Sequence, residues 1–228
     1  MRSVIPSLIT LLLITSNVLA QSTCSKYYPF EEGATFQITN YDKKGKTTGI
    51  ADHTVSNVST VGGAEVSTIS SKIKDNKGEL LIETSYDITC KDDTISIDFN
   101  SLANPQMFEQ YQEMDVDISG TNIDIPNNLS AGQELPDASL LMVVNMGISL
   151  KFTVDITNRK VIAEETITTP AGTFDCYVIG YTLNSKMGIK FSGSSKEWIS
   201  EGVGVVKQES YSKKGKLTSS SELTAFNN

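Results

Sequence analysis

Alternation of apolar and polar residues at period two constrains this chain more than any other feature. Leu80, Ile82, Thr84, Tyr86, Ile88 and Cys90 alternate with Glu79, Glu83 and Asp87. Ile148, Leu150, Phe152, Val154 and Ile156 alternate with Ser149, Lys151, Thr153 and Asp155. Ile95-Ile97-Phe99 and Tyr177-Ile179-Tyr181-Leu183 repeat the pattern. Successive side chains of a strand point to opposite faces, so these runs predict strands half-buried on a core. Turn signals separate them: Lys43-Lys44-Gly45-Lys46, Asp75-Asn76-Lys77-Gly78, Lys91-Asp92-Asp93, Thr157-Asn158-Arg159 and Lys213-Lys214-Gly215-Lys216. A spacing of about 10–20 residues leaves little room for crossover helices, so the strands pair as antiparallel hairpins.

The pattern predicts a mainly β fold of roughly ten to twelve strands. They fall near 34–42, 47–58, 64–74, 79–90, 94–99, 114–119, 140–156, 160–168, 174–184, 188–199, 203–212 and 216–226. The run 140–156 is long, and Asn145 and Gly147 mark a bend or bulge inside it. One stretch breaks the alternation. Asn104 suits a cap and Pro105 a first helical position, and Met107, Phe108, Tyr111 and Met114 follow at helical spacing. They predict one short amphipathic helix over 105–114. Residues 126–137 read as a loop.

The N-terminus reads as an export signal. Arg2 precedes a mostly apolar run from Val4 to Ile14, and Val18-Leu19-Ala20 suits cleavage before Gln21. The run is shorter than the roughly 20 residues that span a bilayer. Cys24 follows Gln21-Ser22-Thr23, a poor lipoprotein box, so a soluble mature chain is expected. Residues 21–228 show no composition shift and form one β domain.

Without Arg2 the chain carries 18 basic and 27 acidic residues, a net charge of −9, with Arg159 as its only arginine. That surface repels phosphate backbones and lacks a basic patch for anionic lipid, which excludes nucleic acid as a partner. Cys24, Cys90 and Cys176 are an odd number, so at most one pair forms within the chain. Cys24–Cys90 is the preferred pair, since it would tie down the N-terminus. Cys176, flanked by Phe174 and Val178 at strand period, reads as a small core residue rather than a catalytic thiol.

The search for chemistry is largely negative. His53 is the sole histidine, which argues against histidine-rich zinc sites and a Ser-His-Asp triad. Between Asp52 and Thr54 it reads as an exposed strand residue. There is no phosphate loop or dinucleotide fingerprint, so no cofactor is implied. Asp92, Asp93, Asp98, Asp115, Asp117, Glu164 and Glu165 could supply a carboxylate pair for hydrolysis. They sit in turns or alternate with apolar residues, as the wet face of a sheet would. Asp92-Asp93 beside Asp87 lacks a spaced calcium loop, and no metal is assigned. The Lys-Lys-Gly-Lys stretches at 43–46 and 213–216 echo each other as two similar hairpin turns.

Two segments resemble a known family. Thr169-Pro170-Ala171-Gly172-Thr173-Phe174-Asp175-Cys176-Tyr177 is similar to its "TPAGTFxCY" motif, and Trp198 to Lys207 resembles its "WxxxGxGxVK" strand pair. The opening Cys24 to Phe30 with Gly33, and Cys90 followed by Ile97-Asp98, also look similar. These are marks of the TapB-like exported proteins of the Bacteroidetes group. The resemblance implies a strongly curved antiparallel sheet, an open or incomplete barrel, with the short helix across its concave side. It also implies a fold similar to periplasmic lipoprotein carriers, which hold acyl chains in the concavity. It carries no catalytic residues.

Three functions compete. The first is an exported, non-enzymatic protein of the periplasm or cell envelope that binds a lipid or acyl chain. Its expected lining is Phe108, Tyr111, Met142, Phe152 and Trp198, because methionines and aromatics line adaptable apolar cavities. The second is a structural or adhesive envelope module with a filled core, working through an envelope protein partner. The third is a carboxylate-based hydrolase.

Overall fold

The computed structural model describes residues 24–98, 115–145, 149–187 and 189–228. The expected export signal at 1–20 and the expected helix at 105–114, with Phe108 and Tyr111, lie outside them. No helix occurs among the described residues.

Thirteen strands form one antiparallel sheet: β1 (Thr35–Asp42), β2 (Thr47–Val61), β3 (Ala64–Asp75), β4 (Leu80–Lys91), β5 (Thr94–Ile97), β6 (Asp115–Gly120), β7 (Ile123–Pro126), β8 (Ala138–Asn145), β9 (Ser149–Thr169), β10 (Gly172–Met187), β11 (Ile189–Ser200), β12 (Gly204–Ser212) and β13 (Leu217–Asn227). The order is β6-β8-β9-β10-β11-β12-β13-β1-β2-β3-β4-β5-β7. Hairpins run from β1 to β5 and from β8 to β13, and the first and last strands pair in mid-sheet, Thr35 opposite Asn227. Among the described residues no ladder joins the two edges, β6 and β7. The segment after β7 instead turns onto β9. Gly132 N–H donates to the Val161 carbonyl, Val161 N–H to Gln133 and Leu135 N–H to Arg159. β8 has by then left that side of β9, its last pairing being Ala138 with Ile156. Segment 127–137 thus satisfies backbone groups that would otherwise be an unpaired edge.

Three expectations are corrected. Among the described residues the strands number thirteen, because Ile123–Pro126 adds a four-residue strand too short and too proline-marked to read. The long run at 140–156 is two strands, β8 and β9, paired at Asn145 and Ser149 beside the expected bend. The turn expected at Thr157-Asn158-Arg159 is absent, and β9 runs straight through it. Asn158 takes φ 56° there, and the register with β10 shifts nearby, between Gly180 and Thr182. That is bulge geometry in an unbroken strand, reached by a residue tolerant of the left-handed region.

The lysine-rich echo is a shared turn. Asp42 Oδ1 accepts N–H bonds from Lys44 at 2.8 Å and Lys46 at 3.0 Å. Asp75 Oδ1 does the same for Lys77 and Glu79, at 2.8 and 2.9 Å. In both turns, and in Ser212–Lys216, the glycine N–H returns to the first residue's carbonyl. The Asp or Ser side chain stands in for a backbone acceptor, which fixes hairpin length and register. Asp92 and Asp93, both at positive φ, form a two-residue turn joining β4 and β5.

The N-terminal segment caps the sheet. Cys24 and Cys90 form a disulfide. Lys26 pairs with Glu201 at 2.7 Å and its N–H donates to Asn127 Oδ1 at 3.0 Å. Tyr27 is fully buried, edge-on to Tyr177. It joins Val55, Ile69, Ile88 and Ile95 in the main core, where each aliphatic contributes about 1.5–3 kcal/mol by burial. A second cluster gathers Cys176, Val178, Trp198, Val206 and Leu223. Cys176 and Val178 alternate along β10 with Tyr177, Ile179 and Tyr181 of the main core, so β10 buries both faces.

Candidate functional site

The inner face of the sheet lines a partly open cavity of about 330 Å³. Its apolar wall comes from Phe36 and Ile38 of β1, Tyr86 of β4, Ile97 of β5, Ile123 and Ile125 of β7, and Ile156 of β9. Tyr28 reaches it from the disulfide-tied N-terminal cap. The ring of Tyr28 lies 3.0 Å from where a Cβ on Gly204 would be, and Gly204 has φ 88°. Glycine at this position of the Gly202-Val203-Gly204 turn therefore allows both the backbone and the aromatic contact.

Polar side chains interrupt that wall, among them Arg159, Tyr181, Glu197, Lys207, Gln208 and Glu222. Tyr181 Oη donates to Glu197 Oε1 at 2.7 Å, and Gln208 Nε2 donates to both, at 2.8 and 3.0 Å. The residues come from adjacent strands β10, β11 and β12, where Glu197 sits opposite Gln208. Burial pushes the Glu197 carboxyl upward, opposed by the Tyr181 bond and by Arg159. Burial likewise raises the Tyr28, Tyr86 and Tyr181 phenols, which stay neutral. Arg159 is only 3% exposed, and its Nη1 donates to the carbonyls of Asp124 at 2.9 Å and Pro136 at 2.6 Å.

His53 corrects the sequence reading. It is half-buried on the cavity wall, not exposed. Its ring stacks on Phe36 with centroids 4.5 Å apart and meets Tyr86 edge-on. Nδ1 shares a 2.7 Å hydrogen bond with Ser71 Oγ. Burial lowers its pKa to about 4, with Asp52 opposing, so the imidazole is neutral at pH 7.

The structure places the other candidates elsewhere. Met142 is buried on β8 opposite Phe152 of β9 and Ile118 of β6, away from the cavity wall. Trp198 packs in the second cluster, donating from Nε1 to Glu165 at 2.8 Å beneath the Lys207 ammonium. Cys176 is a buried thiol raised to about 11 by burial, Asp175 and Glu165, an environment that disfavours the thiolate. Asp92, Asp93, Asp117, Glu164 and Glu165 are exposed. Glu164 and Glu165 line a surface groove with Asp175 and Glu201. Among the described residues, no group of three or more His, Cys, Asp or Glu is arranged to hold a metal.

The same sheet architecture recurs in proteins of known structure. The DUF3108-like family model matches residues 31–223. The chain belongs to the DUF3108-like family. The match carries that description and not the finer TapB-like one. A Bacteroides fragilis structure with a YmcC-like fold, inferred to be an exported protein, is 24% identical with a TM-score of 0.73, covering 90% of this chain and 100% of that one. A Parabacteroides distasonis structure, inferred to be a lipoprotein, is 25% identical with a TM-score of 0.73, covering 90% and 99%. No protein of curated function matches. This DUF3108-like chain therefore shares its fold with relatives inferred to be an exported protein and a lipoprotein, while its chemistry must be read from the cavity.

Proposed function

We propose that this DUF3108-like protein is an exported, non-enzymatic carrier or sensor that holds one apolar chain in its inner cavity. The observation that carries the reading is the cavity itself. About 330 Å³ stays open where isoleucines and aromatics of five strands converge, although interiors otherwise pack to near-crystalline density. That volume lies at the lower end of the roughly 300–1,000 Å³ of small-molecule sites. It suits a single chain and is small for a two-chain lipid. The export signal read at residues 1–20, the TapB-like motifs and the relatives inferred to be exported or lipoproteins support a periplasmic or envelope location. The neutral imidazole, the buried phenols and the hydrogen-bonded Glu197 offer a ligand polar contacts without an activated nucleophile. Native mass spectrometry of protein purified from its own envelope, with lipid extraction of the same sample, tests the reading. A bound species carrying one alkyl chain is expected. An empty protein that also ignores added acyl probes overturns it.

A further inference from the structure

The cavity holds a cation whose bonding is incomplete. A guanidinium carries five N–H donors. Nη1 of Arg159 gives its two to the Asp124 and Pro136 carbonyls. Nε and Nη2 keep three more, without a partner among the described residues, on a side chain 97% buried at the cavity wall. Buried donors left unmade are costly, most of all on a charged group. Glu197 does not serve them. Its Oε1 is taken by Tyr181 and Gln208, and the ion pairs among the described residues lie elsewhere. The Nε–Nη2 edge is the side of a guanidinium that engages a planar carboxylate through two parallel hydrogen bonds.

We infer that the ligand is a single-chain amphiphile with a carboxylate head, the head forked on Nε and Nη2 of Arg159 and the tail along Ile97, Ile125 and Ile156. The inference rests on the carrier reading and adds the head group to it. Burial that favours the neutral form of Glu197 also lessens the repulsion an incoming carboxylate meets.

The test compares dodecanoic acid, dodecanol and methyl dodecanoate for binding to the intact protein at pH 7.5, by displacement of a fluorescent acyl probe. The acid should bind roughly tenfold or more tightly than the alcohol or ester, the effect of at least one charge-assisted hydrogen bond. Arg159→Met should abolish that preference and leave the alcohol's affinity in place. Arg159→Lys, which keeps the charge without the fork, should retain only part of it. Equal binding of acid and alcohol by the unmodified protein overturns the head-group assignment and leaves the carrier reading standing. Failure of all three to bind removes the carrier reading and this inference together. The comparison in the unmodified protein needs no variant, so it stands even if Arg159→Met fails to fold.

Discussion

His53 shows how one position reports on the cavity. Its folded pKa of about 4 lies below the ordinary histidine value of 6.5 because burial disfavours the imidazolium. The folded state therefore binds fewer protons than the unfolded chain between these values. Stability from the neutral imidazole is complete above pH 6.5 and is lost as the pH falls toward 4, by about 2–3 kcal/mol at pH 4.5. Glu197, raised by burial, acts with the opposite sign, its contribution falling as the pH rises through its own titration. The histidine's part is isolated by comparing the unmodified protein with His53→Gln. Urea unfolding at pH 7.5 and 4.5 should show a larger acid loss in the unmodified protein, by about that amount. Equal losses would mean that His53 is hydrated in the folded state.

At the scale of elements, β9 and the N-terminal cap make separate predictions. Asn158 holds φ 56° inside a 21-residue strand, and its N–H donates to Asp137 Oδ1 at 3.0 Å. Asn158→Ala should cost about 1 kcal/mol, whereas Asn158→Gly should be close to neutral, since only a side chain with a Cβ meets the left-handed penalty in full. Thermal melts of the two variants check this. The Cys24–Cys90 bridge closes a sequence separation of 66 residues. Replacing both cysteines with serine should lower unfolding free energy by roughly 2–5 kcal/mol, read by urea titration under non-reducing conditions.

Much of this level was legible in the sequence, and the misses have physical reasons. Strands such as β4 and β10 declare themselves because one face is buried and the other wet. The Asp42, Asp75 and Ser212 turns declare themselves through a glycine at a fixed offset. Thr157-Asn158-Arg159 misled because the residue that favours a turn also favours a bulge, and only the neighbouring strand decides which forms. His53 misled because its polar neighbours Asp52 and Thr54 suggested a wet surface, whereas it shares its face with Ala51 and Val55, both buried. The polar cluster was hidden for another reason. Tyr28, Arg159, Tyr181, Glu197 and Gln208 are scattered in sequence and meet only when the sheet curls. One signal was available: Arg159 is the only arginine after residue 2.

For the whole molecule, the wrapping of the sheet creates the cavity. The thirteen strands of the described residues and the 127–137 segment wrap a core that leaves a cavity where β1, β4, β5, β7 and β9 converge. Of the expected lining residues that the structure describes, Met142 and Phe152 pair across β8 and β9, and Trp198 belongs to the second core cluster. The open space is lined by isoleucines, stacked aromatics, the buried Arg159 and the Tyr181–Glu197–Gln208 cluster. The central claim, that this space receives an apolar chain, is tested most directly by titrating a fluorescent acyl probe into the unmodified protein and into Ile156→Phe, which narrows the cavity from its wall. Saturation at one probe per chain, with binding weakened roughly tenfold or more by the added ring, is the predicted result. Unchanged binding in a folded Ile156→Phe protein would contradict it.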